Sequence, residues 1–147
     1  MNRNFALFSR GIFAAAISTM FFSLSGCGHH EPFGYVKVQG KVSYEDGSLI
    51  PARRLVVRFI SQAPSPDVKI VPRPGDGEVN VKTGTFAKVT SHTPGDGIVP
   101  GEHKVIIVGE VRGLVPTEYT DVATTPLTVN SNDSPFDIKV KKPSPEQ

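Results

Sequence analysis

The sequence predicts an all-β chain, a single sandwich of about seven short strands. Three observations carry this: apolar and polar residues alternate with period two, Gly and Pro turns recur at close spacing, and after Cys27 no helical period persists for three turns. The alternation is clearest from Val36, where Val36, Val38, Gly40, Val42 and Tyr44 fall on one side and Lys37, Gln39, Lys41 and Ser43 on the other. That pattern suits a half-buried strand. Glu45-Asp46-Gly47-Ser48 follows as a turn, because Asp-Gly readily takes the positive φ angles of a tight connection. A second strand runs through Leu55, Val57 and Phe59, with Arg54, Arg58 and Ile60 facing the other way, and it is expected to pair with the first or lie close to it.

Between Ser61 and Gly77 the prolines Pro64, Pro66, Pro72 and Pro74 allow at most a short edge strand around Val68 to Val71. Strands at Glu78 to Lys82 and Thr85 to Val89, separated by Thr83-Gly84, suggest a hairpin. After a turn at Thr93 to Gly97, the stretch His103 to Arg112 holds Val105, Ile106, Ile107 and Val108, the densest apolar run after Cys27 and the best candidate for a central strand. Thr117 to Asp121 has room for one helical turn. Leu127 and Val129 mark a short strand, and Phe136, Ile138 and Val140 alternate with Asp137, Lys139 and Lys141 in the last one.

The N-terminus reads differently. Arg3 and Arg10 precede a mostly apolar stretch from Gly11 to Leu24, which has the length of a secretory h-region and is short for a membrane span. It ends in Leu24-Ser25-Gly26-Cys27, which resembles the bacterial lipobox. That resemblance implies cleavage before Cys27 and conversion of its thiol to a diacylglyceryl thioether. The implied organisation is a signal peptide over 1–26, a lipidated cysteine and tether over 27–35, a sandwich over 36–142 and a disordered tail over 143–147. The expected location is a membrane surface outside the cytoplasm. Gly28 stands where an Asp often favours inner-membrane retention, so the outer membrane is favoured. Cys27 is the one cysteine, so no intramolecular disulfide can form and the domain must be held by burial.

Removing Arg3 and Arg10 from the 16 basic residues leaves them equal in number to the 14 acidic ones, and no run of Lys or Arg forms a phosphate-binding stripe. Nucleic acid is excluded as an expected partner on that ground. The expected partners are the membrane, through the anchor, and an envelope protein or glycan.

Val38-Gln39-Gly40-Lys41-Val42, the Asp46-Gly47 turn, Leu49, Phe59, Thr83-Gly84-Thr85-Phe86, the run from Ile98 to Val105 and Val115-Pro116-Thr117-Glu118-Tyr119 occur in an order that resembles the small planctomycete lipoproteins. Those carry a domain similar to the carboxypeptidase regulatory domain, a transthyretin-like, Ig-like sandwich. The resemblance covers almost the whole chain and implies a fold; the family has no established common activity. Within it, Pro100-Gly101 suits the centre of a type II turn.

Motifs for catalysis are missing from the sequence. None of His29, His30, His92 or His103 begins a His-X-X-Glu pair, and the chain lacks His-Glu-X-X-His, a phosphate loop and Gly-X-Ser-X-Gly. The expectation is therefore a protein that is not an enzyme and carries no cofactor. Pro74-Gly75-Asp76-Gly77 recurs as Pro94-Gly95-Asp96-Gly97, and both are expected to be turns. Asp76 and Asp96 could offer oxygen ligands to Ca²⁺, and His92 and His103, flanking one turn region, could meet across it around a metal. His29, His30 and Glu31 could also contribute metal ligands, although neighbours on a tether seldom converge on one ion. Arg53, Arg54 and Arg58 could form a basic patch for phospholipid headgroups or acidic glycans. The leading expectation is a non-catalytic binding or structural module; the alternatives are a metal or small-ligand carrier and an accessory domain of an envelope enzyme.

Overall fold

The computed structural model describes residues 33–64 and 71–144. Among the described residues seven strands form one sheet: β1 Gly40–Tyr44, β2 Leu55–Ser61, β3 Gly75–Asn80, β4 Thr85–Phe86, β5 Glu102–Gly109, β6 Thr128–Asn130 and β7 Phe136–Val140. Their order across it is β6-β5-β2-β3-β4-β1-β7. The all-β class expected from alternation holds, and the only helical pieces among the described residues are short 3₁₀ turns, η1 Thr117–Thr120 and η2 Ser131–Asp133.

Alternation becomes burial along most strands. Leu55, Val57 and Phe59 of β2 are buried beside Val105 and Ile107 of β5, while Arg58 and Ile60 face outward. Strand β5 pairs with β2 over seven positions from Leu55↔Gly109 to Ser61↔His103, and with β6 over three, so it has neighbours on both sides as expected. Strand β7 keeps Phe136, Ile138 and Val140 inside. It runs parallel to β1 from Gly40↔Phe136 to Tyr44↔Val140. Ser43 departs from the pattern: it lies on the polar side of β1 yet is buried, because Lys139 reaches across from β7 and its Nζ donates to Ser43 Oγ at 2.9 Å.

The sheet rolls upon itself. Strands β6 and β7 are its two edges, yet only residues 131–135 join them, and five extended residues span at most about 18 Å. Across the interior, the Phe59 ring of β2 lies 5.8 Å from Phe86 of β4, 5.6 Å from Phe136 of β7 and 6.4 Å from His103 of β5. Such spacings are those of favourable aromatic contacts. Around them one apolar cluster, built from Val38, Val42, Ile50, Ile98, Val115 and others, fills the interior. All of it belongs to the compact unit Glu31–Gln147, which therefore has a core of its own.

Three expectations are corrected. First, β1 and β2 do not pair: β1 lies between β4 and β7, and β2 lies between β3 and β5. The segment from Glu45 to Arg54 is too long for a tight hairpin, and it buries Ile50 and Ala52 on the way. Second, the β3–β4 hairpin exists with Val79↔Phe86 and Asn80↔Thr85, but β3 begins at Gly75 and β4 ends at Phe86. Third, the two Pro-Gly-Asp-Gly tetrapeptides differ. Residues 94–97 are a turn, whereas Gly75-Asp76-Gly77 is strand, paired through Phe59↔Gly75, Arg58↔Asp76 and Val57↔Gly77. The proposed edge strand falls mostly on 68–70, outside the described residues; Val71 itself is exposed and outside any strand.

The third correction has a steric cause. A Cβ on Gly75 would lie 2.5 Å from Ile98 Cγ2, and one on Gly77 would lie 3.0 Å from Val89 Cγ2 and 3.2 Å from the Phe86 ring. These glycines are strand residues chosen for lack of bulk, since the core already fills the space a side chain would take. Gly75→Ala should lose about 1–3 kcal/mol in urea unfolding, as overpacked cores do. Gly34→Ala, where a Cβ meets nothing within 4 Å, should stay within about 0.5 kcal/mol of the parent.

Candidate binding surface

The lipobox residues Leu24, Ser25, Gly26 and Cys27 lie outside the described residues, as do His29, His30 and Glu31. No helix of the described residues is long and apolar enough to cross a membrane. The remaining candidates can each be placed.

His103 is a core residue, 1% exposed. It stands on the inner face of β5 in step with Val105 and Ile107, and the Phe59 ring meets it edge-on. Its Nδ1 lies 3.1 Å from the Gly101 carbonyl, and since a carbonyl only accepts, Nδ1 carries the proton. Burial pushes the imidazole below its ordinary value, and the Gly101 bond offsets this in part.

Asp76 is on the outer face of β3, where Arg58 of the paired β2 position grips it through two bonds, Nε to Oδ1 at 2.7 Å and NH2 to Oδ2 at 2.8 Å. The fork geometry matches a carboxylate on both oxygens, and the bond to Asp76 raises the Arg58 guanidinium further. Asp96 serves its own loop. It accepts from the backbone N–H groups of Ser91 at 2.8 Å, His92 at 2.9 Å and Thr93 at 2.8 Å. Partial burial pulls its carboxyl upward, but the bonds from Ser91, Thr93 and His92 together outweigh this and hold it below the usual range. His92 is half-buried within that loop.

Among the described residues no three or more His, Cys, Asp or Glu side chains are placed to hold a metal ion. Asp76, Asp96 and His103 are thus engaged at three separate positions of the fold. The proposed arginine patch is likewise divided: Arg58 is committed to Asp76, and Arg54 reaches Glu78 only at 4.0 Å with both side chains exposed. An exposed pair of that kind contributes little.

The open surface lies elsewhere. A depression of about 730 Å³ crosses β3, β4, β1 and the start of β7, lined by Gln39, Glu78, Asn80, Thr85, Ala87 and Asp137 among others. Its polar groups are amide, hydroxyl and carboxylate, set beside the apolar Phe86, Ala87, Pro135 and Phe136, so it offers hydrogen bonds next to apolar contact. Beside it, sharing Gln39, Ala87 and Pro135, is a cleft of about 340 Å³ between residues 37–39 and 87–89. Sequence reasoning missed both. Lys37, Gln39 and Lys88 read as ordinary outward strand positions, and nothing in their identity marks the place where the ladder opens. The core role of His103, by contrast, was available from its spacing to Val105 and Ile107.

At the opposite end, the connection from Glu110 to Leu127 is pinned inward by Val111, Val115 and Tyr119. Tyr44 Oη donates to the Leu114 carbonyl at 2.6 Å and Thr125 Oγ1 to the Val105 carbonyl at 2.7 Å. This ordered cover includes η1 and presents Thr117, Glu118 and Asp121 outward.

His103 makes stability depend on pH. Its folded-state pKa is depressed, so its contribution is complete above the unfolded value of 6.5 and is lost as pH falls from there through the folded value. Thermal midpoints should therefore decline on acidification below 6.5, and His103→Gln should remove that part of the slope. The further loss at lower pH, from carboxylates such as Asp96 whose folded pKa is also depressed, should persist in the variant.

No family model, curated protein or solved structure matches the chain.

Proposed function

We propose that the protein is a cell-envelope lipoprotein, anchored by acyl chains on Cys27, whose β domain is a non-catalytic binding or structural module. We read the rolled sheet as a transthyretin-like sandwich of the carboxypeptidase regulatory type, in a small lipoprotein of the planctomycete kind. The order of turn and core motifs from Val38 to Tyr119 and the arrangement of seven short strands around one interior support this reading.

One observation carries the functional half. The side chains best suited to chemistry are engaged in holding the fold: His103 in the core, Asp76 with Arg58, and Asp96 with its loop. What stays open is the depression of Gln39, Glu78, Asn80, Thr85 and Asp137. Such a surface suits an envelope protein or glycan partner that offers hydroxyl, amide or amino groups. The lipobox motif supports the location, outside the cytoplasm on a membrane with the outer membrane favoured. A diacylglyceryl group joined by an amide-linked chain meets the general need for more than one chain in stable anchoring.

Cys27→Ala should abolish incorporation of labelled palmitate and move the chain out of the membrane fraction; retention of both label and membrane association would refute the anchor. Cross-linking in the native envelope should recover a specific partner, and Asn80→Arg in the depression should reduce its yield while Arg53→Ala, outside it, should not.

A further inference from the structure

We infer that the cleft between residues 37–39 and 87–89 is a seat for the phosphate of an anionic lipid headgroup, holding the domain in one orientation on the bilayer; this rests on the lipid-anchor reading.

The cleft is an interruption in a β ladder. Gly40 pairs with Phe86 and Val42 N–H donates to the Gly84 carbonyl, so the next hydrogen-bonded partners in an antiparallel ladder would be Val38 and Lys88. Lys88 instead has φ 54, the one positive value among the described residues other than glycine. A side chain with a Cβ is conformationally unfavourable in that region. Beyond it the chain leaves β1: Thr90 pairs with Asp76, and Ile98 takes the place opposite Val36. The gap is thus closed at one end by Gly40 with Phe86 and at the other by Val36 with Ile98 and by Gly97 N–H on the Val89 carbonyl.

Donors gather there. Neither the Val38 nor the Lys88 backbone N–H has a hydrogen-bond partner among the described residues, and by the alternation of β1 the Val38 peptide faces the gap. Lys37 and Lys88 are exposed on its walls, and neither forms an ion pair with a described residue. Gln39 adds a side-chain amide, the Ser134 hydroxyl is engaged with the Gln39 backbone, accepting its N–H at 3.0 Å and donating to its carbonyl at 3.3 Å, and no carboxylate lines the cleft. The nearest in sequence are Asp96, which follows the lining residue Gly95 and has its oxygens taken by Ser91, His92 and Thr93, and Asp133, which precedes the lining residue Ser134 and is exposed. The Val38 carbonyl, which also faces the gap, would accept a hydroxyl such as that of a glycerol headgroup.

Position selects a lipid as the source. Lys37 follows Cys27 by only ten residues in sequence, and the cleft is built in part from the first residues after the proposed tether. A lysine near an anionic bilayer contributes about 1 kcal/mol, a factor of about five in binding.

The test uses the compact unit Glu31–Gln147, which carries its own core and no acyl chain, so failure of acylation at Cys27 cannot affect it. It should co-sediment with vesicles of phosphatidylglycerol in phosphatidylcholine and not with phosphatidylcholine alone. Lys37→Gln and Lys88→Gln should each weaken binding about fivefold, and Lys82→Gln, in the β3–β4 turn, should not. Lys88→Gly, which relieves the backbone, should keep or raise the thermal midpoint while weakening binding to the same degree. Equal binding to both vesicle types, or equal weakening by all three glutamine variants, would overturn the proposal. Inorganic phosphate that shifts the amide resonances of Val38 and Lys88 as tightly as the vesicles bind would assign the seat to soluble phosphate and overturn the lipid source.

Discussion

The fold depends on how the Phe59 ring is housed. Only four phenylalanines follow Cys27, and three of them, Phe59, Phe86 and Phe136, meet in the interior from strands that stand far apart in the sheet order. With so little aromatic bulk, the Val and Ile side chains around them can close a core only if the sheet curls far enough to bring β4 and β7 over β2. The curl in turn needs thin backbone where the rings approach. A Cβ on Gly40 would lie 2.5 Å from the Phe136 carbonyl oxygen, 2.8 Å from Phe86 Cζ and 2.9 Å from Phe136 Cβ, so β1 can pass between those two residues only as glycine. Gly77 leaves room for the other side of Phe86. Rings and glycines are therefore one device placed on different strands.

That device also sets where the surface opens. Phe86 must point inward from a strand that can remain beside β1 for only two residues, because the following segment is drawn to Asp76 on β3 by Thr90. The chain divides between two neighbours, and the cleft and the larger depression next to it lie at the division, sharing Ala87. The same packing that stabilises the interior thus leaves peptide groups of Val38 and Lys88 without the partners a continuous ladder would supply. Irregular positions of this kind are where a regular β domain can acquire recognition without altering its core.

The fold was legible in the sequence where a residue's neighbours along the chain decide its environment. Leu55, Val57 and Phe59, or Phe136, Ile138 and Val140, alternate because one face is wet and the other is not, and the Asp46-Gly47 turn follows from the φ of 84 that Gly47 adopts. It was not legible where the neighbour is remote. Nothing local tells Pro74-Gly75-Asp76-Gly77 from Pro94-Gly95-Asp96-Gly97; Ile98 and Val89 above Gly75 and the Arg58 fork on Asp76 make the first a strand, while the second is closed by Asp96 on its own loop amides. Strand pairing is remote in the same sense, which is why β1 and β2, consecutive and similar, were expected together and are found apart. Candidate ligands fared alike: a His or Asp signals potential chemistry by its type, and only packing reveals that His103 faces Phe59 or that Asp76 is already held.

The two ends of the domain consequently differ in kind. Where the chain enters, near Val36, the backbone is interrupted and lysines flank the gap without paired acids. At the other end the Glu110–Leu127 connection is fastened by Tyr44, Tyr119 and Thr125, and Lys142 is paired with Asp46 in the turn beside it. Several bonds to Asp46, led by that from Lys142 and joined by the Ser48 hydroxyl and N–H, hold its carboxyl well below the usual range. An exposed pair of this kind contributes little to stability, but it leaves the surface locally neutral. If the domain is lipid-anchored as proposed, the unpaired Lys37 and Lys88 give it an electrostatic reason to approach an anionic bilayer by the end where the chain enters. The larger depression across β3, β4 and β1 adjoins that end of the domain, sharing Gln39, Ala87 and Pro135 with the cleft.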